Sequence, residues 1–137
     1  MTSYTILIVD SEKPVTNALK RVLWKEGYRI LTAHCGSEAL AKAEAFGCHL
    51  VLSDYRLPDI QGIDLLNLIR ERQPRTIRLL ITSQIDLDQL MCEAKKGGIS
   101  RFITKPWEPQ ELKDIIREAL KDYDHKATED PAEKRDE

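Results

Sequence analysis

The run Thr5-Ile6-Leu7-Ile8-Val9, closed by the turn Asp10-Ser11-Glu12, decides the fold. Five consecutive residues with no polar alternation describe a strand covered on both faces, the usual state of strands in a parallel sheet. Four further runs follow: Tyr28-Arg29-Ile30-Leu31-Thr32, His49-Leu50-Val51-Leu52-Ser53, Ile77-Arg78-Leu79-Leu80-Ile81 and Arg101-Phe102-Ile103-Thr104. Their starts lie 21 to 28 residues apart, which leaves room for one helix and two short turns each time.

The intervening segments carry helical periodicity. Val15, Ala18, Leu19, Val22 and Leu23 form one stripe, and Leu112, Ile115, Ile116, Ala119 and Leu120 repeat it. Leu87, Leu90, Met91 and Ala94 give a shorter version. Leu65, Leu66, Leu68 and Ile69 mark a fourth helix, and Leu40, Ala43 and Phe46 the weakest. Gly27, Gly47 and Gly97-Gly98 sit where helices should stop. Strand alternating with helix five times gives an α/β domain: a doubly wound five-stranded parallel sheet with right-handed crossovers.

The 137 residues suffice for one domain, and with 42% apolar and 32% charged residues the chain can bury a core. Twenty-one basic against 23 acidic residues argue against a general grip on nucleic acid. No apolar run approaches the ~18 residues of a membrane span, and residues 1–9 do not read as a signal peptide. The expected setting is cytoplasmic, with neither membrane nor nucleic acid as a direct partner. Cys35, Cys48 and Cys92 form no CxxC pair, and His34, His49 and His125 lie at no metal-ligand spacing, so all six read as ordinary structural or surface residues. From Tyr123 to Glu137 nine residues are charged and three apolar, too few to offset chain entropy. The expected division is a folded unit over 1–122 and a charged, disordered tail or linker over 123–137.

In an open parallel sheet, ligands bind outside the carboxyl ends of the strands. The first strand ends at Asp10-Ser11-Glu12, the third at Asp54, the fourth at Thr82-Ser83 and the fifth at Lys105-Pro106. Two acids, a hydroxyl and an ammonium thus converge on one rim. The second strand ends in Thr32-Ala33-His34 and offers little, as suits an edge strand. Clustered carboxylates suit Mg²⁺, a hard cation that keeps several waters. A carboxylate can also attack phosphorus and form an acyl phosphate. Cations and hydroxyl donors would then neutralise the oxygens of the transferring group.

With these residues in place the chain resembles the receiver domain of two-component response regulators. The motifs are Ile8-Val9-Asp10, the stretch Asp54-Tyr55-Arg56-Leu57-Pro58-Asp59-Ile60-Gln61-Gly62, Ile81-Thr82-Ser83 and Lys105-Pro106-Trp107, covering about residues 4–122. The resemblance implies a flavodoxin-like (βα)5 fold with strand order 2-1-3-4-5. It implies Asp54 as phosphoacceptor, with Asp10, Asp54 and the backbone carbonyl of Arg56 around Mg²⁺. It further implies Thr82 and Lys105 on the phosphoryl group, a Thr82–Phe102 switch and a cis bond before Pro106. The implied partners are a histidine kinase or phosphotransfer protein. Through the face of the fourth helix, fifth strand and fifth helix, they also include an output domain, a partner protein or a second copy in a homodimer. The Lys-Pro-Trp ending, followed by Glu111-Leu112, resembles receivers joined to HD-type phosphodiesterase or transcription-activator outputs.

One position departs from the family. Two consecutive acids usually follow the first strand, and here Ser11 stands second, with Glu12 behind it. Ser11, with a neutral oxygen, and Glu12, which starts one residue further on, are the two candidates to complete the metal site. The expected function is a phosphoacceptor switch rather than an enzyme; the alternative is a phosphorylation-independent pseudo-receiver with a degraded metal site. An aspartyl-phosphate phosphatase of the haloacid type would need Asp-x-Asp after the first strand, and that spacing fails.

Overall fold

The computed structural model describes residues 3–94 and 99–135. The elements alternate as expected: β1 Thr5–Val9, α1 Lys13–Leu23, β2 Arg29–Ala33, α2 Gly36–Phe46, β3 Leu50–Asp54, α3 Gly62–Arg72, β4 Ile77–Ser83, α4 Gln84–Ala94, β5 Arg101–Lys105 and α5 Pro109–Arg135. All strand pairs are parallel, in the order β2-β1-β3-β4-β5. β1 is buried along its whole length, whereas β2 at the edge is not. Alternate residues of the inner strands feed two cores. Ile6, Ile8, Leu50, Leu52 and Leu79 meet Leu19 and Leu23 of α1 and Leu112, Ile116 and Leu120 of α5. Leu7, Val9, Val51 and Leu80 meet Ala39 and Ala43 of α2, Leu65, Leu66 and Ile69 of α3, and Leu90 of α4. This two-sided burial is why the runs lack polar alternation.

Gly27 ends the short 3-10 turn Trp24–Glu26 at a φ of 86°, a conformation that costs glycine nothing. The Gly97-Gly98 stop lies outside the described residues. Two stripe residues differ from expectation. Phe46, the last residue of α2, is 50% exposed, and the Arg29 guanidinium covers its ring at 5.1 Å. Met91 is likewise exposed, leaving Leu90 to anchor α4. Packing contacts continue past residue 122. Tyr123 packs against the core, and Asp124 accepts a 2.6 Å hydrogen bond from the Tyr4 hydroxyl. Tyr123 stands three residues after Leu120 and so continues the apolar stripe of α5. Among the described residues no helix is long and apolar enough to cross a membrane.

Candidate functional site

Register assembles the rim. Val9 pairs with Ser53, so Asp10 and Asp54 each follow at the ends of adjacent strands. Asp54 pairs with Ile81, which sets Thr82 one step beyond, and Ser83 pairs with Lys105. The Lys105 ammonium lies 2.9 Å from Asp54 Oδ1 and 3.7 Å from Asp10 Oδ2. Asp10 is buried and its Oδ1 accepts the N–H of Glu12 at 2.9 Å. Burial pushes the Asp10 carboxyl above the ordinary carboxylate range. The Glu12 amide and the Lys105 charge pull against this, and the Asp54 charge adds to it. For Lys105, burial works against the ammonium, but the bond to Asp54 and the charges of Asp54 and Asp10 outweigh it. Its pKa stands above the usual lysine value, so the cation persists at neutral pH.

Thr82 is 2% exposed, and its hydroxyl is the buried side-chain oxygen with no hydrogen-bond partner among the described residues. A buried hydroxyl left without a partner costs about 1–3 kcal/mol. Phe102, facing Leu80 across the sheet in register, is partly buried against the second core and borders a groove with Trp107, Glu111 and Ile115. The Lys105–Pro106 bond is cis.

The β3–α3 loop brings Arg56 beside Asp54. It closes tightly: the Gly62 N–H donates to the Tyr55 carbonyl at 2.7 Å, and Arg56 forms a bridge with Gln61. A Cβ at Gly62 would stand 2.2 Å from the Asp54 carbonyl oxygen, so no other residue fits there without moving the loop. The Arg56 side chain turns to Asp86 at the start of α4, 3.2 Å away, a pairing the sequence did not announce.

Ser11 and Glu12 are both exposed, and the Glu12 side chain does not cap α1. Among the described residues no three His, Cys, Asp or Glu side chains gather as a metal cage, so Glu12 does not join Asp10 and Asp54 as a third acid. Two carboxylates and a carbonyl nevertheless suit Mg²⁺, which takes one or two protein carboxylates and completes its shell with water and phosphate oxygens. Asp10, Asp54 and the Arg56 carbonyl are the residues that would hold it.

The sequence profile of the response regulator receiver domain matches residues 6–117. The hydrogenase transcriptional regulatory protein HoxA of Cupriavidus necator is 34% identical over 85% of this chain and 24% of its own length. The signal receiver domain of an HD domain-containing protein from Pseudomonas fluorescens Pf-5 superposes with a TM-score of 0.85 at 32% identity, covering 95% of this chain and 96% of that one. A CheY-like response regulator receiver domain protein from Methanospirillum hungatei JF-1 gives 0.84 at 30% identity, covering 91% and 99%. The chain belongs to the response regulator receiver domains, the signalling modules of two-component systems. It spans between about a quarter and half of the length of the curated relatives it matches.

Proposed function

We propose that Asp54 accepts a phosphoryl group from a histidine kinase or phosphotransfer protein and that the resulting acyl phosphate switches the α4-β5-α5 face. The observation that carries this reading is the Lys105 ammonium held between Asp54 and Asp10, on the same rim as a Thr82 hydroxyl that has no hydrogen-bond partner among the described residues. An Asp54 carboxylate oxygen forms a bond to phosphorus as the bond from phosphorus to the donor's imidazole nitrogen breaks, and the nitrogen keeps that electron pair. Lys105 holds one phosphoryl oxygen, and Thr82 donates its hydroxyl to another. The Asp10 and Asp54 carboxylates and the Arg56 carbonyl would hold Mg²⁺, which would supply charge neutralisation.

Thr82, drawn toward the new anion, vacates space that Phe102 enters. Phosphorylation then biases a pair of rotamers rather than creating a new fold. The face that would read out the change holds the groove of Phe102, Trp107 and Ile115, with Ile85 exposed on α4. An output domain, a separate protein or a second copy can occupy it, in a cytoplasmic setting.

Incubation with acetyl phosphate and Mg²⁺ should add one phosphoryl group by intact mass spectrometry, and Asp54→Ala should add none. Equal modification of the variant overturns the assignment. A wild-type chain that stays unmodified favours the phosphorylation-independent module instead.

A further inference from the structure

The loop that carries Arg56 is fastened at its tip to a helix on the far side of β1. Asp59 Oδ1 accepts the N–H of Gly36 at 2.7 Å, and Oδ2 accepts the N–H of Ser37 at 3.0 Å. Both amides belong to the first turn of α2, where backbone donors have no partner inside the helix. Cys35, at the N-cap, contributes no side-chain cap. Asp59 therefore caps a helix that begins 23 residues earlier in the chain. The approach is close. A Cβ on Gly36 would meet Ile60 Cγ2 at 2.2 Å and Asp59 Oδ1 at 3.2 Å, so only glycine lets loop and helix touch in this way. Ile60 packs onto the same core as Ala39 and Ala43 of α2, which reinforces the contact.

Between this tip and the base closed by Gly62–Tyr55 and Arg56–Gln61, the backbone around Arg56 has two anchors. One is built into the loop itself. The other depends on a single carboxylate. We infer that Asp59 is a positioning residue for metal binding: by tying the loop tip to α2 it fixes the stretch of backbone whose Arg56 carbonyl would join Asp10 and Asp54 around the metal. The inference rests on the receiver reading and adds to it a determinant of metal affinity. The dependence is sharpened by Ser11. With two carboxylates rather than three, less charge draws the cation in, so the placement of the neutral carbonyl ligand counts for more. Groups that orient a ligand without touching the metal commonly change affinity by about 10–100-fold when removed. The low end applies to Asp59, because the base of the loop stays closed.

The test is a MgCl₂ titration followed by tryptophan fluorescence, with thermal midpoints measured alongside, on the full chain and five variants. Asp59→Ala should bind Mg²⁺ about tenfold more weakly. Asp59→Asn keeps one acceptor oxygen and should recover part of the loss, and Gly36→Ala should weaken binding by forcing Ile60 and the loop outward. Ile69→Val, in the core beneath α3, should lower the midpoint with affinity unchanged. Wild-type affinity within twofold in Asp59→Ala, with a lowered midpoint, would reduce Asp59 to a helix cap and overturn the inference. If Asp59→Ala does not fold, Asp59→Asn and Gly36→Ala decide by the same criterion. A wild-type chain with no Mg²⁺ response, or one that Asp54→Ala leaves unchanged, would instead show that the metal-binding reading itself fails.

Discussion

Replacing Thr82 by valine should stabilise the resting protein and impair the signalling state. The Thr82 hydroxyl is buried in β4 without a hydrogen-bond partner among the described residues. An unpaired buried hydroxyl carries a penalty of about 1–3 kcal/mol, and an apolar group of the same shape removes it. Valine has that shape and suits a strand. Taking the low end, because Thr82 lies at the open end of its strand, the expected gain is about 1 kcal/mol. With a urea dependence of about 1.5 kcal/mol/M, the unfolding midpoint should rise by roughly 0.7 M. The thermal midpoint should rise by about 3–5 °C for a chain of this size. Beryllofluoride, an acyl-phosphate mimic, should reverse the order. It stabilises whichever protein binds it, and a lost hydrogen bond to a charged group costs about 1.5–3 kcal/mol, or tenfold or more in affinity. Thr82→Val should therefore start more stable and gain less from the mimic with Mg²⁺ present. Destabilisation of the resting variant by 1 kcal/mol or more would refute the reasoning, since it would mean that the hydroxyl is satisfied before any ligand arrives.

Ser11→Asp should tighten Mg²⁺ binding in the same fluorescence titration by adding a hard oxygen and a negative charge, and should slightly lower stability without metal through repulsion with Asp10 and Asp54; unchanged or weaker affinity would sink the idea that Ser11 limits the site. At the opposite end of the sheet, His49 Nδ1 accepts the Thr5 N–H at 3.0 Å, between the rings of Tyr4 and Tyr123 and facing Arg75 and Asp124. Burial and then the Arg75 charge hold its pKa below the ordinary histidine value, against a smaller opposite pull from Asp124. The unfolded chain thus binds the proton more readily, so this contribution is complete above about pH 6.5 and is lost as pH falls below it. Thermal midpoints of wild type should fall across that window more steeply than those of His49→Gln; parallel curves would rule out this linkage.

The rim was legible in the sequence because each of its residues is bound to a strand end. Once the runs at Thr5, His49, Ile77 and Arg101 are recognised as parallel strands, Asp10, Asp54, Thr82 and Lys105 must share one edge, and the register bears this out. The sheet itself was legible because strands buried on both faces leave unbroken apolar runs. What escaped are side chains whose partners are chosen by tertiary packing. Asp59 stands inside the quoted motif, yet nothing in its neighbourhood points to Gly36 and Ser37 of α2. Asp86 reads as an ordinary first-turn acid until Arg56 is found 3.2 Å away. His49, on spacing alone an unremarkable histidine, proves to be the hub between Tyr4 and Tyr123.

The packing of residues beyond 122 was hidden for a related reason. Composition averages a segment, and a charged average hid one aromatic ring that continues the stripe of α5. Tyr123 receives the Arg75 guanidinium 3.7 Å above its ring, its carbonyl accepts the Arg75 Nε–H, and the next residue holds the Tyr4 hydroxyl. Those contacts fix α5 to the residues just before β1 and β4, at the end of the sheet away from Asp54. On the proposed reading, a signal raised at the carboxyl rim would leave through residues on α4, β5 and the first turns of α5, because Tyr123 and Asp124, further along α5, are tied to Arg75 and Tyr4 at the other end of the sheet.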